Sequence, residues 1–591
     1  MSTIEQTFKK IESFQGGDAA DRITNAILFM VCKHMMPFVH VEHVGFKYLM
    51  KITCPLYKVP SAKTFTSKLE NKYTKIKGMF IAQLKRLGNY CITCDAWTDN
   101  TGQSYLGVTL HYILEEAWQF AILGCIPLYE RHTAEFYKTT LLNVFQDFEL
   151  KIDNLGALIS DGEAAIKKAC KDIVGVHKHI VCTAHTLSHV IGDACNLLKS
   201  DQENKFKKQK SNKSQPTSSD EHVNSKVEQP ILLRIFQKVR DITSLIKRST
   251  PALDKLKDQQ IGAGRSEGRV LKLVLDNATR WTSTISIIRR YIDVEEYIHL
   301  SMRECAKPID ILNRDEVTIL KDVLKLLEPI EEAINQMSCE KDPTCSSIIP
   351  LVNQLFKCIK KIENQTEVGK TFQNKLLEVI SSRFEFMEQS SLLPIATLLD
   401  PRYKKKCFKN RLAASEAVLK VNSMLIKMAS QNRSLLQNKR EITKTANTNS
   451  NSVLWADFDQ EEEIIDSNDP NTDNLNNYIE LGQYLSMPKI DRSENPVKYW
   501  SKKKGAFPLL SQIALKYIGV VATTVLSERL FCLAGNTKTD VRNRSTPSHL
   551  NMLMFMYAVP NDMWGVSIDW NKFLSCVNFK SSLTNTFVYF Y

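Results

Sequence analysis

The periodicity of the chain changes abruptly at Tyr90, and that change constrains the fold more than any other feature. Upstream, residues 17–87 read as helix. Ile23, Ile27, Met30, Val31 and Met35 recur at helical spacing, and Pro60-Ser61 precedes a second helical stretch, Thr64–Leu87, with basic residues throughout. From Tyr90 to Trp97 the pattern alternates, and two more runs of β-forming residues follow, Ser104–Leu114 and Trp118–Leu128. Three such runs in succession predict an antiparallel meander. Thr133–Phe148 reads as an amphipathic helix and Leu155–Ser160 as a short buried strand stopping at Asp161-Gly162. Glu163–Asp172 reads as a helix and His179–Cys182 as one more short strand. The predicted order is β-β-β-α-β-α-β.

That is the order of an RNase H-like fold, in which acidic residues lie at the ends of neighbouring central strands. Asp95 lies on the first strand and Asp161 ends the fourth. Lys199–Pro230 is different material, rich in Lys, Ser, Gln and Asn with almost no apolar residue, and reads as a solvated linker. From Ile231 to about Met428 the pattern is mostly helical, with stripes such as Val317–Ile334 and Leu351–Ile362. Residues 430–475 are again polar and expected to be disordered. Within them Trp455 and Phe458 sit in an acidic stretch suited to docking on a partner or on the chain itself. Order returns near Asn476 and ends in a dense helical region, Phe507–Tyr557. No tandem repeat is present.

A chain of 591 residues exceeds one ordinary core and predicts roughly three or four domains. The hydrophobic fraction of 43% and charged fraction of 24% are those of a soluble globular protein. The net charge of +13 favours a polyanionic partner without singling one out. Fifteen cysteines at irregular spacing, with no apolar run in Met1–Lys10, predict reduced thiols in the cytosol or nucleus. No stretch reaches the ~18–20 apolar residues of a membrane span. The nearest, Ile27–Val39, is broken by Lys33, His34 and Pro37.

Carboxylates converging at strand ends can hold two divalent cations ~3.5–4 Å apart, a spacing suited to in-line phosphoryl displacement. Oxygen donors suit Mg or Mn. A single Asp at a strand end is more often a turn or a helix cap, and Asp99 and Glu163 read as such loop carboxylates. Cys91-x-x-Cys94 with Cys182 and His185 invites a zinc reading. The gap of about ninety residues is wrong for a small finger, and Cys94 lies on a predicted strand. Lys404–Lys406 and Lys502–Lys504 are short basic runs, solvated faces first and nuclear-localisation signals second.

The wording around these residues adds more. Cys94-Asp95-Ala96-Trp97-Thr98-Asp99, followed by Tyr105-Leu106-Gly107-Val108-Thr109-Leu110-His111-Tyr112, resembles the first catalytic block of hAT superfamily transposases. Ile159-Ser160-Asp161-Gly162 is similar to the second block, Cys182-Thr183-Ala184-His185 to a C-x-x-H block, and Thr279-Arg280-Trp281-Thr282-Ser283-Thr284 to a "TRWNST" block in which Thr282 replaces the usual Asn. The densest match runs from Phe507-Pro508 through Ser527-Glu528-Arg529-Leu530-Phe531 and Ala534-Gly535-Asn536 to Leu550-Asn551-Met552-Leu553, with Cys532 in place of the usual Ser. The matches occur in order between about Ser61 and Tyr557.

The resemblance implies an RNase H-like mixed-sheet core split by a large helical insertion, α/β plus all-α overall. An N-terminal helical domain spans 1–87, the first part of the core 88–198, a linker 199–230 and the insertion 231–485. A C-terminal dimerisation region completes the core over 486–560, and a tail covers 561–591. It implies a triad of Asp95, Asp161 and Glu528 holding Mg or Mn, with Trp281 and Arg280 contacting DNA, His185 contacting DNA or supporting the triad, and Phe507, Leu510, Leu530, Phe531 and Leu553 serving dimerisation. The implied partners are DNA and a second copy, in the nucleus, with no membrane. Trp281 also reads as an ordinary core anchor. The first 90 residues hold only Cys32 and Cys54, so the BED zinc finger with which full-length members begin is not expected there. Two functions follow: a metal-dependent transposase that cleaves and joins DNA strands, or a catalytically silent nuclear DNA-binding and regulatory dimer on the same fold. An oligomerisation protein without a nucleic-acid role is the third.

Overall fold

One mixed sheet of five strands organises the chain, in the order β3-β2-β1-β4-β5. The computed structural model describes residues 13–14, 16–99, 101–211, 230–275, 281–338, 342–443, 479–529, 531 and 546–565, with the side chains of 200–211, 281–282 and 432–443 excepted. Helices α1 (Asp18–Lys33), α2 (Val44–Thr53) and α3 (Ala62–Leu84) come first, and the Ser61 side chain caps α3 by accepting from the Thr64 N–H. Then follow β1 (Tyr90–Thr98), β2 (Ser104–Leu114), β3 (Ala117–Leu128), α4 (Ala134–Asp147), β4 (Leu155–Ser160), α5 (Ala164–Val174) and β5 (His179–Val181). β1, β2 and β3 are antiparallel neighbours, whereas β4 runs parallel to β1 and β5 parallel to β4. This is the order that the change of period predicts. β4 is apolar at nearly every position because both faces of the sheet are covered.

Each face has its own core. On one face Ile92, Cys94, Leu110 and Leu158 meet Phe65 and Phe80 of α3, Leu141 of α4, Ile166 of α5 and Phe555 of α18 (Pro547–Ala558). The N-terminal helices therefore share a core with the sheet, where residues 1–87 were expected as a domain of their own. The stripe of Leu69, Ile76 and Phe80 enters this core together with residues of the sheet and of α1 and α2.

On the other face Cys91, Ala157 and Ile159 meet α6 (Thr183–Ser211) through Cys182, Leu187 and Val190. Behind α6 stands a helical body: α7 (Ile231–Arg248), α8 (Thr250–Gly262), α9 (Trp281–Asp293), α10 (Glu295–Arg303), α11 (Arg314–Met337), α12 (Ile348–Lys361) and α13 (Glu367–Arg383). A third core joins α14 (Leu393–Leu399), α15 (Arg411–Thr443), α16 (Pro496–Lys502) and α17 (Pro508–Ile518) around Trp500, whose indole N–H donates to the Leu399 carbonyl at 2.8 Å.

Two boundaries differ from the sequence reading. α6 continues to Ser211 where a linker was expected from Lys199, and α15 continues to Thr443 past the expected break near 430. Both extensions are polar but rich in Lys, Gln, Glu and Arg, whose helix propensity is high. The rest of the expected polar stretches, 212–229 and 444–478, lies outside the described residues. No described helix is long and apolar enough to cross a membrane.

The two ends of the chain are tied by Lys33. Its ammonium donates to the carbonyls of Tyr557 and Val559, at 2.7 and 2.5 Å, at the C-terminal end of α18. Burial pulls this amine down to about 8. The folded chain thus releases the proton near that pH, whereas the unfolded chain keeps it to roughly 10.4. Between these values the unfolded state binds more protons, so this residue makes stability rise with pH. We expect the difference in melting temperature between wild type and Lys33→Met to move in favour of wild type between pH 7.5 and 10. A difference flat across that range would show that Lys33 does not titrate there.

Candidate active site

β1 delivers Asp95 to the middle of the sheet. Asp95 faces Gly107 across β2, and the adjoining pair Cys94–Ser160 places Asp161 just past the end of β4, beside it. Asp95 is buried, while Asp161 is half-buried and its Oδ1 accepts the Glu163 N–H at 3.1 Å, leading into α5.

The third carboxylate arrives from far along the chain. Residues 520–524 run extended between the sheet and the helical body, held on both sides. The Thr183 N–H donates to the Ala522 carbonyl at 2.9 Å and the Cys345 N–H to the Val520 carbonyl at 3.1 Å. The Ala522 N–H donates to Thr344 Oγ1 at 2.9 Å and the Thr524 N–H to Cys182 Sγ at 3.2 Å. The Thr524 carbonyl then accepts the N–H groups of Ser527 and Glu528, at 2.8 and 3.1 Å, which starts the helix 525–529 and aims Glu528 at β1. A buried line of hydroxyls fixes this helix to the sheet. Ser527 Oγ lies 3.0 Å from Thr93 Oγ1, Thr93 2.5 Å from Thr109 Oγ1, and Thr109 2.8 Å from His111 Nε2.

As a result Asp95, His185 and Glu528 each offer a ligand atom, all within 4.8 Å of one another. His185 Nε2 is 3.3 Å from Glu528 Oε1. Asp161 is not part of that set, and its Oδ1 faces the Glu163 amide. Its charge still reaches Asp95. Burial pushes the Asp95 carboxyl well above the ordinary range, His185 pulls it back, and Asp161 and Glu528 add like-charge repulsion. Burial opposes a charge on His185, but the Cys182 thiol and the carboxylates of Glu528 and Asp95 outweigh it and push the imidazole up to about 10. His185 is thus a cation braced between two carboxylates.

Around this cluster the expected residues fall in different places. Cys91 and Cys94 are three apart on a strand and therefore point to opposite faces, Cys91 into the core of the helical body and Cys94 to within 3.5 Å of Cys170 Sγ, so they cannot chelate one zinc ion. Asp99 accepts from the Thr101 and Gln103 amides, as a loop carboxylate does. Phe507, Leu510, Phe531 and Leu553, expected at a dimer surface, are all buried inside the chain. They build its own cores, because helices α17 and α18 are covered by α14, α3 and the sheet. Arg280 and Leu530 lie outside the described residues, as does the side chain of Trp281, which opens α9. Thr93 and Ser527 were not singled out by sequence. The signal was present, since Thr93 shares a strand face with Asp95 and Ser527 precedes Glu528.

Residues 480–558 match the hAT family C-terminal dimerisation region. The chain is similar to hAT transposases and to BED zinc finger proteins over most of its length. It is 22% identical to human zinc finger BED domain-containing protein 4 over 94% of its own length and 45% of that protein. To an AC transposase of Zea mays it is 22% identical over 87% of the chain and 62% of that protein. To the Hobo transposase of Drosophila melanogaster it is 27% identical, over 28% of each. The chain spans about half the length of the curated relatives it matches over most of its own length. The segment that carries Glu528 lies within the matched dimerisation region, so the carboxylate cluster joins that region to the sheet.

Proposed function

We propose that the chain keeps an RNase H-like catalytic core. It acts on DNA in the nucleus as an hAT-type transposase, cleaving and joining strands at Asp95, Asp161 and Glu528. The observation that carries this reading is the meeting of Asp95 and Glu528 beside His185, although 433 residues separate the two carboxylates (528 − 95). Structural ion pairs rarely crowd carboxylates around one buried Asp, since like charges oppose each other there. Active sites do, where a cation settles the charge.

The donor set fits a divalent cation. Carboxylate oxygens suit Mg or Mn. Asp95 and Glu528 would hold the ion, with Asp161 on the adjoining strand. Such ions supply activation of the attacking oxygen and stabilisation of the leaving oxygen of a phosphodiester. The chain's own residues do the rest. β1 and β4 fix the two aspartates, the line of hydroxyls from Ser527 to Thr109 sets the height of Glu528, and His185 holds Glu528 in place and offers a positive charge to a phosphate.

A second reading, a silent DNA-binding regulatory dimer, is favoured by two features: Asp161 is engaged with the Glu163 amide, and His185 already lies against Glu528. The test is to incubate the purified chain with supercoiled DNA and Mn. Nicking or strand transfer that disappears in Glu528→Gln supports the transposase. DNA binding that weakens steeply with salt, with equally absent nicking in both proteins, assigns the silent binder. Absence of any salt-sensitive binding overturns both.

A further inference from the structure

Phe507, Leu510, Phe531 and Leu553 of the matched dimerisation region are interior, so an exposed apolar face outside that set is a candidate surface for self-association. Helix α2 supplies one. Its inner face is Phe46 and Met50, which enter the same core as Leu553 and Phe555 of α18. Its outer side is apolar as well: Val44 is 84% exposed, Tyr48 66%, Ile52 64% and Leu49 55%. At 100° per residue Val44, Tyr48, Ile52 and Leu49 span a continuous arc on the far side of the helix from Phe46 and Met50, with Lys47 and Lys51 along one flank. Val39 and Leu56 extend the patch at either end. A helix apolar on both sides is a buried helix, yet among the described residues only the 3₁₀ turn Phe38–Glu42 packs closely on α2.

We propose that the α2 stripe is a homodimer interface, in which the stripe of one chain lies on the same stripe of a second copy. Two observations select this occupant. The patch is large: six exposed apolar side chains offer on the order of 600 Å² per chain, approaching the ~800 Å² per partner of a standard interface and at the upper limit of what monomers leave open. The patch is also continuous with the matched dimerisation region. Phe46 and Met50 on the inner face of α2 belong to the same core as Leu553 and Phe555 of α18 in that region, so the helix that bears the stripe is built on it. An isologous contact needs only one self-complementary patch, which a single short apolar helix provides. The inference rests on the self-association that the family region supports and is independent of catalysis.

The test is light-scattering mass of the full chain over a range of concentrations, for wild type, Tyr48→Glu/Ile52→Glu and the control Leu412→Glu, a comparably exposed leucine on α15. Wild type and the control are expected as dimers. The double variant, keeping the wild-type circular-dichroism spectrum because both sites are exposed on the single chain, is expected to dissociate at least 100-fold more readily. A double variant that dimerises like wild type overturns the α2 interface while leaving dimerisation intact. A monomeric wild type overturns it together with the self-association reading, and neither result bears on nicking by the carboxylate cluster. Intrachain cross-linking of Tyr48 to residues 566–591 in place of an interchain product would likewise overturn it, by naming that segment as the cover.

Discussion

Asp95→Asn is expected to remove Mn-dependent strand cleavage by ~10³-fold or more while leaving the metal-free fold at least as stable as wild type. The two effects share one cause. Asp95 is buried, and its carboxyl lies beside Asp161 and Glu528. Burial and the two like-charge neighbours together outweigh the attraction of His185 for this carboxylate, so an amide of the same shape relieves the apo protein and keeps its packing. The same change removes an anionic donor that a cation needs. The readout that separates this from a structural defect is thermal. Mn at a hundredfold excess over its dissociation constant should stabilise wild type by about 2.7 kcal/mol. That gain should vanish in Asp95→Asn and shrink in Glu528→Gln. Equal Mn-induced shifts in wild type and Asp95→Asn would place the ion elsewhere. If Asp95→Asn melts well below wild type without metal, Asp95 is a structural residue first. Asp161→Asn is the discriminating third variant. Should it also lose the Mn shift, Asp161 leaves the Glu163 amide when the ion binds; should it keep the shift, Asp95 and Glu528 suffice.

The sheet was legible because an alternating run, two runs rich in β-forming residues and two short apolar runs stand between clear turns. Ser104–Leu114 and Leu155–Ser160 are strands with the bounds read from sequence, and the other three differ at their ends by a residue. The helices that extend into polar stretches were not legible, because Lys199–Ser211 has propensity for helix but no apolar stripe to announce it. The approach of Glu528 to Asp95 has no local signature at all. It depends on extended residues 520–524 lodging between Thr183, Thr344 and Cys345, contacts between segments hundreds of residues apart. Only the resemblance of Ser527-Glu528-Arg529 to a family block pointed to Glu528. The same block led to a misplaced expectation for Phe531 and Leu553. An apolar residue in a dimerisation region reads as interface from sequence, while the fold needs it to cover a sheet. His185 is the intermediate case. A C-x-x-H spacing at the start of α6 could not say whether the imidazole meets DNA or carboxylates; its 3.3 Å contact with Glu528 places it with the carboxylates.

Gly107→Ala is expected to disturb this site from the far side of β2. Gly107 stands opposite Asp95, and a methyl group built on it would come within 2.6 Å of Phe531 Cε1 and 3.0 Å of Cζ. The ring has nowhere simple to go. It stacks on Trp97 with centroids 5.4 Å apart and planes 10° from parallel, and it is buried. Trp97 in turn lies 5.4 Å from the Tyr105 ring. Phe531 follows Glu528 by three residues at the end of the segment that Ser527 pins to Thr93. Overpacking of this kind typically costs ~1–3 kcal/mol. Relief by moving the ring would pull on Glu528, so the affinity for Mn should fall by about tenfold or more, an effect that a mere loss of stability would not produce. Gly107→Ala/Phe531→Leu provides the rescue: leucine lacks the ring edge that the methyl group meets, so Mn affinity should recover even if the lost Trp97 stacking keeps the melting temperature low. Calorimetric Mn titration of the folded variants decides the matter. Wild-type affinity in Gly107→Ala would mean that the helix bearing Glu528 is held by the Ser527–Thr93 contact alone, with the aromatic stack as covering.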